Sequence, residues 1–321
     1  MKSIKNMKIV REYNKIKKIL VIGGSGFLGN NICRYLVKKG YEVFNFDLIK
    51  VGDDSDITFI KGNFFNEQDL KDAVIGKDCV IHAVSTLNPG NSNEAYMQGY
   101  QKDFIQTIRL CHILSQNNTR LLFLSSGGTV YGNQSYVAVD ENVLPRPINH
   151  YGNVKLSIEN TMRTFNYQMG TDFLIARISN PYGYGQNFHK GVGFIDAVLK
   201  NAILEMPIEI WGDGYNIRDY IYIDDVCEMI ECIINYSGEY DTFNVSSGRG
   251  VSQNEIIDIV KSIGYSPKVE YKEKRKVDVK SIVLNNNRIE KLWKKIPTKV
   301  ESGIKIYSDY LKQNVMGGKR I

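Results

Sequence analysis

Short apolar runs alternate with helical stretches along the first half of the chain. Runs of this length are typical of strands buried on both faces, as in a parallel sheet that helices cover on each side. Because strand–helix–strand connections are right-handed, we predict an α/β fold with a doubly wound parallel sheet. The predicted strands are 18–23, 42–47, 57–61, 79–84, 121–125 and 173–178, and the longer predicted helices end at residue 39 or span about 93–115 and 149–168.

The alternation ends after Ile178. The segment 180–193 (NPYGYGQNFHKGVG) is rich in glycine and aromatic residues, which is typical of a functional loop, and irregular segments follow it. We therefore predict a sheet domain at 18–178 and a smaller C-terminal α/β domain at 179–321 that binds the substrate. Some segments of the second domain are expected to return to the first.

The positive charge of the chain is confined to its N-terminus. Among 321 residues, 41 are basic and 35 are acidic, a formal net charge of +6. Residues 1–18 hold seven basic residues and one acidic residue, which accounts for the whole excess. A neutral body argues against a nucleic-acid partner. For the extension at 1–17, we favour a solvated terminus over a basic amphipathic helix on a membrane surface.

Cysteine and histidine usage argues against cross-links and metals. The five cysteines are scattered without a C-x-x-C pair, and the chain has four histidines. Neither a disulfide framework nor a metal site is predicted. No apolar run approaches the roughly 18 residues that span a bilayer, and the first residues lack the apolar stretch of a secretory signal. We therefore expect a reducing, cytoplasmic location.

A glycine-rich segment, GGSGFLG at 23–29, follows the first predicted strand and opens a helix. In this setting the three spaced glycines allow a tight turn, close approach of the backbone to a pyrophosphate, and close packing of helix on sheet. Asp47 ends the second strand, where a carboxylate accepts hydrogen bonds from ribose hydroxyls and repels a 2′-phosphate. The pattern predicts a Rossmann domain that binds NAD rather than NADP. The predicted cofactor contacts here are Gly23, Gly26, Phe27, Leu28, Gly29 and Asp47.

Tyr151 and Lys155 lie four positions apart at the start of the helix 149–168, so they share one face. An ammonium group near a phenol favours the phenolate and lowers the pKa of the phenol. Tyr151 can then act as a general base toward a substrate hydroxyl near neutral pH. Although the Y-x-x-x-K spacing alone is common, its position after a strand that ends in Ser125–Ser126 favours a catalytic pair that also contacts the cofactor.

In their order along the chain, the motifs resemble those of the extended short-chain dehydrogenases/reductases, in particular the NAD-dependent nucleotide-sugar epimerase/dehydratase family. The resemblance runs from Lys18 to about Tyr310. The matching segments are GGSGFLG at 23–29, DCVIHAV at 78–84, SSGGTVYG at 125–132, YGNVK at 151–155, NPYGYGQ at 180–186 and GDGYNIRDYIYIDDV at 212–226.

The resemblance implies further roles and a partner. It assigns Asn180 to the sugar nucleotide, and it assigns Arg218 and Arg275, the latter with Asp278, to the diphosphate. Planar guanidinium groups suit this task because they bind phosphate oxygens in bidentate fashion. The family also implies a homodimer that packs through the helices 93–115 and 149–168.

Three positions depart from the family pattern. The usual catalytic Ser or Thr is Gly127 here, so either of the flanking hydroxyls, Ser126 or Thr129, can serve as the third catalytic residue. Asn63 replaces the adenine-binding aspartate after the third strand and can still accept and donate hydrogen bonds. Asp103 stands where the long helix normally carries an asparagine.

The resemblance predicts NAD-dependent 4-epimerisation of a nucleotide-diphosphate hexose, of the UDP-glucose or UDP-N-acetylglucosamine type. A reductase of a 4-keto-6-deoxy nucleotide sugar is the main alternative, and a non-catalytic nucleotide-sugar-binding protein is a further one. Gly128 and Thr129 replace the acid pair of the 4,6-dehydratases, which argues against dehydration. By its distance from Arg275, Ser281 is expected to line the sugar pocket and to leave room for an N-acetyl group.

Overall fold

The structure of the protein, a computed structural model, describes residues 15–52, 54–134, 138–186, 193–273 and 281–315. The predicted basic segment lies outside these residues up to position 14. Where the description begins, Ile16 is already buried, and the backbone N–H groups of Lys17 and Lys18 both donate to Asp78 Oδ2 at 2.8 Å. These contacts attach the chain to the folded body just before the first strand.

The first half of the chain alternates strands and helices as the apolar pattern predicts. The bounds of the six predicted strands differ from the observed ones by at most two residues. In chain order the elements are β1 (Lys18–Ile22), α1 (Phe27–Lys38), β2 (Glu42–Asp47), β3 (Ile57–Lys61), α2 (Glu67–Val74), β4 (Cys79–His82), α3 (Tyr96–Gln98), a π-helical turn (Gly99–Phe104), α4 (Ile105–Asn117), β5 (Arg120–Ser126), α5 (Gly127–Val130), α6 (His150–Met169) and β6 (Phe173–Ile178).

The second half is less regular. Its elements are β7 (Asn180–Tyr182), α7 (Phe194–Ile203), β8 (Pro207–Trp211), β9 (Ile217–Tyr222), α8 (Ile223–Ile234), β10 (Thr242–Val245), β11 (Gly250–Ser252), α9 (Gln253–Ser262), β12 (Lys268–Lys272), β13 (Ser281–Ile282), α10 (Asn287–Trp293) and α11 (Val300–Val315). No helix within the described ranges is long and apolar enough to cross a bilayer.

A seven-stranded parallel sheet, in the order β3-β2-β1-β4-β5-β6-β10, forms the larger lobe. All six residues of β6 are buried because helices cover both faces of the sheet. Strand order reverses between β1 and β4, which opens a crevice at the carboxyl ends of the strands, where such sheets bind ligands. The doubly wound α/β fold predicted from the sequence is confirmed.

The smaller lobe is built around β9, which pairs with β7, β11 and β13. Strands β8 and β12 form a separate two-stranded sheet. Between these segments the chain returns to the larger lobe, since α8 packs on α1 and β10 extends the large sheet beside β6. The chain therefore passes between the two lobes more than once.

The helix predicted at 93–115 is present as one unbroken helical run, Tyr96–Asn117, which contains a π-helical turn. The turn spans Gly99–Phe104, between the short helix α3 and α4. At Gly99 a Cβ atom would lie 2.3 Å from Leu87 Cδ1 and 3.1 Å from Val154 Cγ2 of helix α6. The π-helical turn thus begins at a glycine packed against Leu87 and against Val154 of α6, a tertiary contact that periodicity does not reveal.

Candidate active site

Spaced glycines shape the turn between β1 and α1. Gly23 adopts a positive φ of 82°, and its N–H donates to the carbonyl of Phe46 in β2 at 2.9 Å. A Cβ atom on Gly29 would lie 2.1 Å from the Gly23 carbonyl oxygen, so helix α1 packs against the turn too closely for any residue with a side chain. Gly26 caps α1 without a side-chain hydrogen bond. The first N–H groups of the helix are therefore suited to hold a phosphate.

Asp47 ends β2 beside this turn. Its Oδ2 accepts the Ser25 N–H at 3.0 Å and its Oδ1 accepts the Leu48 N–H at 2.7 Å. Each oxygen has a second lone pair, so ribose hydroxyls can donate to it as well. Asn63 lies exposed after β3, where its Oδ1 accepts the Phe65 N–H at 3.0 Å and its amide N–H groups can donate to a base.

Gly29→Ala is expected to destabilise the protein far more than Gly26→Ala. At Gly29 the new methyl group meets a backbone oxygen of the turn, so we expect the free energy of unfolding to fall by about 3 kcal/mol or more. At Gly26 the backbone is extended and the nearest atom is 3.3 Å away, so the fold tolerates alanine while the methyl group obstructs a pyrophosphate. Thermal unfolding and NAD titration check both variants, and equal stabilities would contradict the role of Gly29.

Tyr151 and Lys155 lie on the first turns of α6. The side chain of Asn149 begins this helix by accepting the Gly152 N–H at 2.8 Å. Lys155 is buried, its Nζ donates to the carbonyl of Leu124 in β5 at 3.1 Å, and it lies 5.6 Å from the centre of the Tyr151 ring. The pair is thus held at the carboxyl end of the large sheet, as the spacing predicts.

The pKa of Tyr151 departs from the expectation. Burial and, secondarily, the Asp103 carboxylate raise the pKa of Tyr151 to about 12, and a hydrogen bond with Ser126 only partly offsets them. Burial likewise lowers the pKa of Lys155 to about 8, against the attraction of Asp103 and Glu159. The expected lowering of the phenol pKa is therefore not met by the protein alone, because burial penalises both charged forms.

Gly127 stands where the family resemblance places a catalytic Ser or Thr, and the structure shows why glycine is needed there. A Cβ atom at this position would lie 2.3 Å from Leu284 Cδ1 and 3.1 Å from the Arg177 carbonyl oxygen, so a Ser or Thr side chain lacks room. The neighbouring Ser126 side chain hydrogen-bonds Tyr151, whereas the Thr129 hydroxyl donates to the Ser126 carbonyl at 3.4 Å. Of the two candidate hydroxyls, the geometry favours Ser126.

A buried ion pair joins α6 to the large sheet. Glu159 lies one turn after Lys155 on α6 and is fully buried. Its Oε2 lies 2.6 Å from Arg177 Nη2 of β6, and its Oε1 accepts the Ser125 hydroxyl of β5 at 2.6 Å. The pair fixes the face of α6 that carries Lys155 and Glu159 relative to the end of β5.

A cavity of about 640 Å³ lies between the two lobes at the carboxyl ends of the strands. Asn180 lines it, donating its amide to the Asp219 carbonyl at 2.9 Å, and Arg218 lines it from β9. The cavity therefore joins the acid–base residues to the residues assigned to a sugar diphosphate. The predicted residues in its lining are Phe27, Leu28, Ser126, Thr129, Tyr151, Asn180 and Arg218.

Residues 19–246 match the NAD dependent epimerase/dehydratase family. The chain belongs to this family. It is 33% identical over 92% of its length to a putative UDP-glucose 4-epimerase of Methanocaldococcus jannaschii, of which it covers 99%. It is also 28% identical over 75% of its length to a dTDP-4-dehydro-6-deoxyglucose reductase of Escherichia coli, of which it covers 80%. The structure of the Thermotoga maritima UDP-glucose 4-epimerase with UDP-glucose superimposes with a TM-score of 0.86 at 26% identity, covering 93% of this chain and 99% of that one.

The cofactor of this epimerase/dehydratase family is NAD, and the residues of this chain fit it. The close packing at Gly29 and the free start of α1 form a cradle for the pyrophosphate, and Asp47 can bind the adenosine ribose. The Lys155 ammonium has three donors, one of which goes to Leu124, so it can also donate to a ribose.

The cavity also has walls that the sequence motifs did not indicate. After β4, a loop contributes Asn88, Pro89, Gly90 and Asn93. On the far side, Trp211, Asn216, Tyr220 and Gln253 come from the smaller lobe. A signal was present for part of the second group, since Asn216 and Tyr220 lie within the motif at 212–226, but the loop after β4 lacks a recognisable pattern.

Some predicted contacts lie elsewhere in this epimerase/dehydratase. Ser281 is exposed at the start of β13, paired with Ile217, and it is not part of the cavity lining. The predicted contact of Ser281 with the sugar is therefore without support in the geometry, because the count along the chain ignored where β13 begins. Arg275 and Asp278, also predicted to bind substrate, lie outside the described residues.

Proposed function

We propose that the protein catalyses NAD-dependent 4-epimerisation of a UDP-linked hexose, such as UDP-glucose or UDP-N-acetylglucosamine. The observation that carries this proposal is the single cavity that unites Ser126 and Tyr151 with Asn180 and Arg218. The high coverage of relatives and a solved structure that are named UDP-glucose 4-epimerases supports the same reaction.

The acid–base work falls to the residues at the end of β5 and the start of α6. NAD, when bound, supplies the acceptor and donor for the hydride at C4 and a positive charge that favours the phenolate. Tyr151 removes the proton from the C4 hydroxyl and later returns it to the same oxygen. Ser126 holds the Tyr151 hydroxyl, and Lys155 stabilises the phenolate by its charge.

Epimerisation needs the sugar to present both faces while the rest of the substrate stays fixed. Arg218 is half-buried, and its Nη1 donates to the Ile217 carbonyl at 2.9 Å, which orients the guanidinium along β9. We assign Arg218 to the diphosphate and Asn180 to the hexosyl end of it.

The purified protein tests this proposal directly. We expect denaturation to release NAD, and we expect fresh protein to invert C4 of UDP-glucose or UDP-N-acetylglucosamine without added cofactor. Product sugars separated after acid hydrolysis report the inversion. Turnover of a 4-keto sugar alone, with added NAD(P)H consumed in each cycle, would instead establish the reductase.

Ser126→Ala and Thr129→Val separate the two candidate hydroxyls. Because Ser126 contacts Tyr151, we expect Ser126→Ala to lower kcat about a hundredfold. Thr129→Val preserves shape and removes a hydroxyl that contacts only the backbone, so we expect a loss of less than about tenfold. Steady-state kinetics with equal protein concentrations decide, and the reverse ranking would transfer the role to Thr129.

We further propose a cytoplasmic homodimer that supplies precursors for polysaccharides. All five cysteines are free thiols, which suits a reducing compartment. Helices α4 and α6 pack side by side, and apolar side chains are exposed nearby in the chain, at Tyr96 and Met97 of α3 and at Ile105 of α4. Sedimentation of the wild type and of an Ile105→Glu variant tests the dimer.

A further inference from the structure

Asp103 is a buried carboxylate on the π-helical turn beside the catalytic helix. It is 4% exposed, and it stands where the family resemblance places a neutral asparagine. Its Oδ2 accepts the Ser85 hydroxyl at 2.9 Å and the Thr86 N–H at 2.8 Å. Its Oδ1 is equally inaccessible to water and has no hydrogen-bond partner within the described part of the chain. A buried carboxylate with one unpaired oxygen lowers the free energy of unfolding, so we look for a role of Asp103 beyond packing.

The first part of that role is to hold one wall of the cavity. Ser85 and Thr86 begin the loop after β4, called here the wall loop (residues 85–93). The loop is braced internally, since Asn88 Oδ1 accepts the Gly90 and Asn91 N–H groups at 2.8 and 3.1 Å. Asp103 therefore anchors the start of a preformed loop that lines the cavity with four residues.

The second part is electrostatic. The Asp103 charge raises the pKa of both Tyr151, the proton acceptor of the proposed reaction, and Lys155, the ammonium that stabilises its phenolate. A like charge opposes the phenolate and an opposite charge retains the ammonium. An asparagine would exert neither effect.

The remaining groups around the pair cannot substitute for Asp103. Glu159 of α6 acts on Lys155 but is engaged by Arg177. Burial lowers the pKa of His82 in β4 to about 3, so it stays neutral, with Nε2 3.0 Å from the Thr107 hydroxyl. His150, at the start of α6, stacks on Tyr96 and hydrogen-bonds the Tyr100 hydroxyl at 3.1 Å. From β5, Ser126 contributes a neutral hydrogen bond.

We propose that Asp103 is a positioning residue that anchors the wall loop beside the active site and, by its charge, sets the pH range in which Tyr151 accepts the substrate proton beside the Lys155 ammonium. The inference rests on the proposed function, because it assigns Tyr151 as the proton acceptor of the reaction. One side chain thereby links the shape of the sugar pocket to the protonation state of the acid–base pair.

Two substitutions at this position separate anchoring from charge. Asp103→Asn removes the charge, while its amide oxygen can still accept the Thr86 N–H. We expect the acid limb of its kcat–pH profile to move down by about one pH unit, because the phenolate forms more easily without the carboxylate. Asp103→Ala removes both functions, so we expect the same shift together with amide hydrogen exchange in residues 85–93 that is about tenfold faster.

Ser85→Ala is the matched control, since it removes one anchor bond and keeps the charge. We expect a raised KM with an unmoved acid limb. An acid limb of Asp103→Asn that coincides with the wild type would overturn the electrostatic role, and unchanged exchange in Asp103→Ala would overturn the anchor. If the wild type inverts no hexose nucleotide, the proposed function fails. The hydrogen-exchange experiment then still tests whether Asp103 anchors the wall loop. The electrostatic role is tested by the pH dependence of the absorbance change at 340 nm, either as UDP-hexose reduces NAD or as a 4-keto sugar oxidises NADH.

Discussion

Tyr151→Phe is expected to lower kcat for C4 inversion by at least about a thousandfold, because it removes the only atom of this side chain that can take the substrate proton. The ring itself stays, and with it the contact to the Lys155 ammonium 5.6 Å away. We therefore expect the free energy of unfolding to change by less than about 1 kcal/mol, the net value of one hydrogen bond, here to Ser126. Coupled assays of C4 inversion and denaturant unfolding measure the two quantities.

Tyr167→Phe is the control for this substitution. Tyr167 lies on the same helix, is 81% exposed, and is not part of the cavity lining. We expect its kcat to equal that of the wild type, and we expect both variants to retain bound NAD. If Tyr151→Phe kept a tenth or more of the wild-type kcat, another group would have to accept the proton and the mechanism proposed here would be wrong.

The larger lobe could be predicted from the sequence because its signals are local. Each buried strand is a continuous apolar run, and the glycine turn at 23–29 is read from spacing alone. Tyr151 and Lys155 follow from one helical period, so their common face required no knowledge of the fold. The residues predicted to contact the cofactor follow from such short-range patterns. The structure brings the glycine turn, Tyr151 and Lys155 to the carboxyl ends of the strands.

The substrate side depends on contacts between segments far apart in the chain. Leu284 fills the space beside Gly127 and leaves no room there for the Ser or Thr that the family resemblance implies, and no pattern near residue 127 indicates this. The π-helical turn likewise begins where Gly99 packs against Leu87 and Val154, a contact that its own sequence does not indicate. The predicted position of Ser281 in the sugar pocket rests on its distance in sequence from Arg275. In the structure Ser281 pairs with Ile217 of β9 and is not part of the cavity lining.

Asp219 is the clearest case of a residue whose role only the tertiary structure reveals. Within the motif at 212–226, the sequence predicts a role for the preceding Arg218 and none for Asp219. The Asp219 carboxylate is nevertheless fully buried and joins four segments of the chain. Oδ1 accepts the Ser247 N–H at 2.9 Å and the Ser179 hydroxyl at 3.3 Å, and Oδ2 accepts the Gly248 and Leu284 N–H groups at 3.1 and 3.2 Å. This hub holds β9, and thus Arg218, against the end of the large sheet.

Asp219→Asn is accordingly expected to lower the free energy of unfolding by about 3 kcal/mol, since the amide group must point its N–H₂ at backbone N–H donors whichever way it is turned. Asp258→Asn, at an exposed carboxylate on α9 paired with Lys261, should change it by less than about 0.5 kcal/mol. Urea unfolding compares the two variants. Because the hub positions Arg218, we also expect Asp219→Asn to raise KM for the UDP-hexose at temperatures where it stays folded. Equal stability of Asp219→Asn and the wild type would mean that the carboxylate does not join these segments in solution.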